Sequence, residues 1–280
     1  DKEYRGALIP VGGGKDSVVT LEILRESRAE NHCYIINPRP ATLDCARLAG
    51  FPDERVYGVR RTIDRTLLEL NAKGYLNGHT PISAVIAFSG FLFADLLGKR
   101  YVVLSNESSA NEGNTGGGVN HQYSKSTEFE RDFRLYTARM FGNSPEYFSL
   151  LRPLNEWQIA REFVKHRKYF PVFQSCNLGS KTNSWCANCA KCLYVYIMLA
   201  GFLPDSEISG IIGENMLDNP ANRGLFNALV HENYDKPFEC VGTREEINRA
   251  LHDACRLRKG DRLPVLLGEW AEGNPPPPAD

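Results

Sequence analysis

Along the first half of the chain, short apolar runs alternate with stretches of helical periodicity. Ala7-Leu8-Ile9-Pro10-Val11 is an apolar run of strand length, and Val18, Leu21, Glu22 and Leu24 continue at helical spacing. Cys33-Tyr34-Ile35-Ile36 reads as a second buried strand, ending at Asn37-Pro38-Arg39-Pro40, and residues 42–49 as a short helix stopped by Gly50. A third strand is expected at 55–59. After the short apolar run at 66–70, residues 82–97 are mostly apolar or small, which predicts a helix buried against a sheet and closed by Gly98. Tyr101-Val102-Val103-Leu104 is the fourth strand, 128–140 a helix, and Phe148-Ser149-Leu150-Leu151 the fifth strand, ended by Arg152-Pro153-Leu154. Asn155 then caps a helix running to about His166, with Gln158 at capping-box spacing.

Strands alternating with helices imply a parallel sheet with right-handed crossovers. The expected fold is α/β, a doubly wound parallel five-stranded sheet over 1–170, followed by a helical, cysteine-rich appendage over 171–280. In that appendage 193–203 reads as a buried helix carrying Tyr194 and Tyr196, 219–224 as a loop, and Thr243 with Glu246 as the capping pair of another helix. The proline run near the end, Asn274-Pro275-Pro276-Pro277-Pro278, reads as extended. No internal repeat is visible.

Composition narrows the class without naming a chemistry. A hydrophobic content of 42% and a charged content of 24% are those of an ordinary globular protein. A net charge of -1 gives no nucleic-acid footprint, which argues against a nucleic-acid partner. No apolar run approaches the ~20 residues of a membrane span, and no signal-peptide pattern opens the sequence, so the expectation is a cytoplasmic protein without a membrane partner. The sequence opens on Asp1-Lys2-Glu3 rather than Met, which leads one to expect a piece of a longer protein.

The first informative stretch is the passage from strand to helix, Gly12-Gly13-Gly14-Lys15-Asp16-Ser17. Glycines let backbone N–H groups approach an anion, and a helix start supplies unpaired donors and partial positive charge. Lys15 adds a cation, Ser17 a hydroxyl, and Asp16 and Ser17 are good helix N-caps. A Walker A loop needs Ser or Thr directly after its Lys, and Asp16 stands there instead. A dinucleotide fingerprint needs a third glycine three residues on, which is missing. A mere glycine-rich connection is the plain alternative. In such sheets ligands sit outside the carboxyl ends of the strands, so backbone around Asn37 is a further candidate for an adenine or ribose contact, alongside its reading as a proline-containing turn.

The second stretch follows the fourth strand: Ser105-Asn106-Glu107-Ser108-Ser109-Ala110-Asn111-Glu112-Gly113-Asn114, then Thr115 to Ser126. A connection this long marks function or disorder, and its place beside the glycine loop favours function. Glu107 or Glu112 can hold Mg²⁺, a hard cation that takes carboxylate and phosphate oxygens. Lys125 can neutralise phosphate, and His121 and Tyr123 are candidate proton-transfer groups.

The third stretch is Cys176 followed by Cys186-Ala187-Asn188-Cys189-Ala190-Lys191-Cys192. Four thiolates at this spacing suit structural Zn²⁺, and an iron–sulfur cluster accepts the same set. The sequence holds eight cysteines, of which Cys240 and Cys255 fall in no motif.

Gly13, Gly14, Asp16 and Ser17 resemble the PP-loop of the ATP pyrophosphatases, Ser-Gly-Gly-x-Asp-Ser, with Gly12 where that family usually has Ser. Pro153-Leu154 with Ile159 resembles the last strand-to-helix turn of the same enzymes, and the four cysteines resemble the zinc site of its 7-cyano-7-deazaguanine synthase branch. The glycine loop taken together with residues 106–114 resembles the UDP-N-acetylmuramoyl-L-alanyl-L-glutamate epimerases, over most of the chain. That resemblance implies a PP-loop fold, ATP and Mg²⁺ as cofactors, a UDP-muramoyl peptide substrate and a role in peptidoglycan synthesis. It also implies adenylation of the terminal glutamate's α-carboxylate, loss and return of the Cα proton, and release of AMP and pyrophosphate. Gly12, Gly13, Gly14 and Ser17 would then hold the nucleotide. A deazaguanine-type or tRNA-modifying enzyme is the alternative within the enzyme class, and a nucleotide-binding module without turnover the alternative outside it.

Overall fold

The computed structural model describes residues 3–76, 81–111, 120, 122–142, 145–237 and 239–275. In chain order, its first part runs β1 (Ala7–Pro10), α1 (Lys15–Ile23), β2 (His32–Ile36), α2 (Pro40–Leu48), β3 (Val56–Val59) and α3 (Arg65–Ala72). It continues with α4 (Ile82–Leu96), β4 (Tyr101–Leu104), α5 (Thr127–Phe141), β5 (Glu146–Ser149) and α6 (Glu156–Phe163). The sheet has five strands in the order β3-β2-β1-β4-β5, and every pairing is parallel.

Side-chain alternation divides the core between the two faces of this sheet. Ile9, Cys33, Ile35 and Val103 point to one side and join α1, α2 and α6. Leu8, Tyr34, Val102 and Leu104 point to the other and meet Ala87, Phe91 and Phe133 of α4 and α5. Helices thus cover both faces, as parallel strands require, since their connections must return along the sheet.

Local chemistry moves some boundaries away from the expected ones. α1 starts at Lys15 with Gly14 as its cap, so Asp16 and Ser17 lie inside the first turn rather than capping it. The Ser17 hydroxyl turns back to accept from the Gly13 N–H at 3.1 Å. β5 begins earlier than its apolar run, because Glu146 sits on an edge strand and pairs with Arg100 at 2.5 Å. α4 is buried along one face only. Ala87, Gly90, Phe91 and Ala94 pack inward, while Phe88, Leu92 and Leu96 are more than half exposed, because a helix lying on a sheet can bury only one side.

The second part runs α7 (Ala190–Ala200), α8 (Asp205–Ile212), α9 (Arg223–Val230), α10 (Arg244–Leu257) and α11 (Val265–Gly273). The loop expected at 219–224 ends sooner, since α9 starts at Arg223. α7 is buried on every side, with α6, α8, α9 and α10 around it. Each of its large apolar side chains contributes roughly 1.5–3 kcal/mol of burial. One apolar cluster runs without a break from Ile9 of β1 through Trp157 and Phe163 of α6 to Leu199 and Leu251. Arg258 ties the ends of these helices together, donating to the Ala200 and Leu203 carbonyls and to Asp205.

Candidate functional site at the carboxyl ends of the strands

In the order β3-β2-β1-β4-β5 the connection reverses direction between β1 and β4, which opens a crevice outside their carboxyl ends. The glycine loop leaves β1 there and the polar loop leaves β4 there. Gly13 has φ +81, and a Cβ on it would lie 3.1 Å from the backbone of Ala41 and Thr42. Gly14 meets Ser175, whose hydroxyl would be 2.6 Å from an added Cβ. The Gln174 N–H donates to the Gly13 carbonyl at 2.8 Å. The loop is therefore clamped between α2 and the segment leading to Cys176.

Lys15 does not project from this loop. Its side chain is 2% exposed, and its ammonium pairs with Asp16 at 2.5 Å and, more closely still, with Glu156, the first residue of α6. The polar loop after β4 is laid along the same edge by its own hydrogen bonds. Ser105 accepts from Thr20 at 2.8 Å, Asn106 donates to Ser149 at 3.0 Å, and the Ser108 N–H donates to the Leu154 carbonyl at 3.0 Å. Arg152, just after β5, donates to the carbonyls of Glu107 at 2.8 Å and Lys125 at 2.6 Å. As a result Asp16, Glu107 and Glu156 bring carboxylate oxygens within 4.8 Å of one another.

Charge is crowded at this point. Burial, with Glu156 and Asp16 nearby, pushes the Glu107 carboxyl up to about 7. Burial opposes the charge of Lys15, yet Asp16 and Glu156 hold its pKa above the usual lysine value. Burial likewise opposes ionisation of Asp16, and Lys15 and Lys191 overcome it. Three converging carboxylates carrying more negative charge than Lys15 neutralises are a donor set that fits a hard divalent cation.

The four predicted cysteines also converge, with sulfur atoms within 4.8 Å of one another. Backbone N–H groups support them: Gly179 donates to Cys176 at 3.1 Å and Cys192 to Cys189 at 3.4 Å. Hydrogen bonding from Cys192 pushes the Cys189 thiol down to about 5. All eight cysteines are free of disulfides. Four reduced thiols, two of them at the start of α7, with N–H donors aimed at sulfur, form a donor set that fits Zn²⁺.

Other expected residues lie elsewhere. Asn37 has φ +51 at the end of β2, and its side-chain oxygen accepts from the Arg61 N–H at 2.7 Å. Tyr123 is 44% exposed and directs its hydroxyl toward Asp132 on α5, at 3.4 Å. Gly12 faces open space near Ser17, and its carbonyl accepts from Arg39 at 3.3 Å. His121 and Glu112 lie outside the described residues. The residues that sequence reasoning missed are Glu156, Arg152 and Lys191. Glu156 directly follows the Asn155 cap, an acidic position easily credited to the helix alone.

Fold and site together define an α/β protein with a glycine loop and an acid–lysine cluster at the strand ends, joined to a four-cysteine centre. Residues 1–150 match the family model of the MurL N-terminal domain and residues 172–272 that of the MurL C-terminal domain, and the chain belongs to the MurL family. Curated relatives bear the name UDP-N-acetyl-alpha-D-muramoyl-L-alanyl-L-glutamate epimerase. The protein of that name from Xanthomonas oryzae pv. oryzae is 39% identical over 254 residues, covering 88% of this chain and 56% of the relative. Those from Salinispora tropica and a Micromonospora are 38% and 37% identical, covering 90% and 87% of this chain and 56% of each relative. The chain therefore spans little more than half the length of the curated relatives it matches. Among the described residues, no helix is long and apolar enough to cross a membrane.

Proposed function

We propose that this chain carries the ATP-binding and catalytic centre of an enzyme that epimerises the terminal L-glutamate of UDP-N-acetylmuramoyl-L-alanyl-L-glutamate, releasing AMP and pyrophosphate, in cytoplasmic peptidoglycan synthesis. The observation that carries this reading is the buried Lys15, Asp16, Glu156 and Glu107 cluster beside the glycine loop, in a chain of the MurL family. The strand order and the glycine loop support reading the fold as the PP-loop type.

In this proposal the loop of Gly12, Gly13 and Gly14, with the start of α1, receives the β,γ-phosphates of ATP through backbone N–H donors, and Ser17 braces the loop. Asp16, Glu107 and Glu156 would hold Mg²⁺, which when bound supplies charge neutralisation for the phosphates. Lys15 keeps two of those carboxylates in place, and Lys125 and Lys191 add positive charge at the same edge. The four cysteines would hold a structural Zn²⁺.

The chemical reason for using ATP is the acidity of Cα–H. A free carboxylate resists a second negative charge beside it. Attack of that carboxylate on the α-phosphorus expels pyrophosphate and gives a mixed anhydride whose acyl group no longer carries the charge, so that a base can remove the Cα proton. Reprotonation on the other face and hydrolysis give the D-glutamyl product and AMP. Incubation with the dipeptide substrate in D₂O should place deuterium at the glutamate Cα, and only when ATP is present. Retention of the Cα–H through turnover, or ADP and phosphate as products, would refute the reading.

A further inference from the structure

Cys240 falls in no sequence motif, yet the fold brings it to the site. Its sulfur lies 3.1 Å from the Lys125 ammonium, 115 residues earlier in the chain. Its backbone carbonyl accepts from the Lys191 ammonium. Both lysines act on Asp16, and Lys125 acts on Glu107 as well. Residue 240 is therefore fastened to the acidic cluster through two cations.

A second observation marks the same place. Tyr194 is fully buried, and its hydroxyl has no hydrogen-bond partner among the described residues. That hydroxyl would be 2.7 Å from a Cβ built on Gly242, two residues beyond Cys240, and Lys191 lies over its ring at 4.9 Å. The segment from Cys240 to Gly242 thus lies against the cluster and places the Cys240 thiol beside the Lys125 and Lys191 ammonium groups and near the Tyr194 phenol.

We propose that Cys240, with Lys125 as its positioning residue, is the group that removes the Cα proton from the activated glutamate. This rests on the epimerase reading above. Asp16 and Glu156 are already engaged with Lys15, Glu107 completes with them a set suited to a cation, and Tyr123 faces Asp132. Among the described residues, Cys240 brings to this edge a thiol held 3.1 Å from the Lys125 ammonium. The thiolate is the form of cysteine that accepts a proton, and the Lys125 ammonium is placed to orient the sulfur. In the step, the Cα–H bond breaks as an S–H bond forms, and the electron pair moves onto the acyl oxygen. Water then protonates the opposite face, and the hydroxide left behind takes the proton from sulfur. Cα is inverted and the thiolate is restored.

The test follows two products separately in the intact protein: AMP formed in response to the dipeptide, and D-glutamyl product with deuterium at Cα. For Cys240→Ala, the ratio of D-glutamyl product to AMP should fall by about two orders of magnitude, the usual weight of a positioned acid or base. If that ratio stays within about threefold of the unsubstituted protein, Cys240 is not the base. Should Cys240→Ala fail to fold, Cys240→Ser, which preserves size, is judged by the same ratio. A failure of the wider reading looks different, because the unsubstituted protein then makes neither product, and this proposal falls with it. As a further check, Lys125→Met should lower the same ratio of D-glutamyl product to AMP by about tenfold or more, and an unchanged ratio would remove Lys125 from the proposal.

Discussion

Lys15 and Glu156, 141 residues apart, form an ion pair with side chains only 2% and 4% exposed. It joins the first helix after β1 to the first helix after β5, so the two ends of the α/β part are locked at the point where the site forms. Such a pair is costly to desolvate, and breaking it from one side leaves the buried Lys15 ammonium with Asp16 alone, an effect of at most roughly 3–5 kcal/mol. Glu156→Gln should therefore lower unfolding stability by up to that amount in urea titration. It should also reduce AMP formation by about two orders of magnitude, the typical cost of losing one preorganised charge. Stability unchanged within ~0.5 kcal/mol would mean that the pair does not persist in solution.

Arg152 is the corresponding device for the loop after β4. Its guanidinium holds the carbonyls of Glu107 and Lys125 and also pairs with Glu130 at 3.2 Å. Lysine keeps the charge but cannot span these acceptors with a planar fork. Arg152→Lys should cut turnover by roughly ten- to a hundredfold through misplacement of Glu107 and Lys125, with far-ultraviolet circular dichroism unaltered. Steady-state rates close to wild type would show that the loop is held by its other hydrogen bonds alone.

Gly13 can be tested by one methyl group. At φ +81 an L-residue is strained by about 1–2 kcal/mol, and the added carbon would also press on the Ala41–Thr42 backbone. Gly13→Ala should lower the unfolding midpoint and weaken ATP binding measured by calorimetry. Gly210→Ala, where a Cβ meets nothing within 4 Å and an exposed position of α8 gains a better helix former, is the control that should leave ATP binding unchanged and should not lower the midpoint.

The α/β part was readable because its signals are local. The 7–11 run, the Asn155–Gln158 box and the Thr243–Glu246 box each state their structure within a few residues, and all three form. The cysteine cluster was readable for the same reason, since three of its four ligands lie within seven residues. The site was only half readable. Asp16 and Glu107 stand in conspicuous polar loops, but Glu156 joins them only through a contact across 141 residues, which no periodicity encodes. The outward face of α4 was misjudged because Phe88, Leu92 and Leu96 are as apolar as the residues that do pack on the sheet.

His32, at the start of β2, gives a pH dependence away from the site. Burial, with Lys99 and Arg55 nearby, pushes its imidazole down to about 4. An unfolded chain takes up this proton near pH ~6.5, so between about 6.5 and 4 the unfolded state binds more protons than the folded one. Stability from this group is therefore present above the unfolded value and is lost as the pH falls through that window. His32→Gln should flatten that loss relative to wild type in urea titrations at pH ~7 and ~5. Parallel pH profiles for the two proteins would exclude His32 as a contributor.

The four-cysteine centre and the glycine loop should prove to be mechanically linked. Cys176 follows directly on Gln174 and Ser175, and these are the residues that hold Gly13 and Gly14 in place. Cys189 and Cys192 sit at the start of α7, the helix around which the C-terminal part packs. Freshly purified, unchelated protein should contain about one equivalent of zinc. Removing it should loosen two regions together, because the thiols would no longer anchor either the start of α7 or the segment behind the loop. Hydrogen exchange should report faster exchange at residues 12–17 and at the beginning of α7 in chelator-treated protein, with the β2–β3 pair unaffected. Exchange that quickens at α7 while residues 12–17 stay protected would separate the four-cysteine centre from the glycine loop. Zinc below about a tenth of an equivalent would remove the metal from the account altogether.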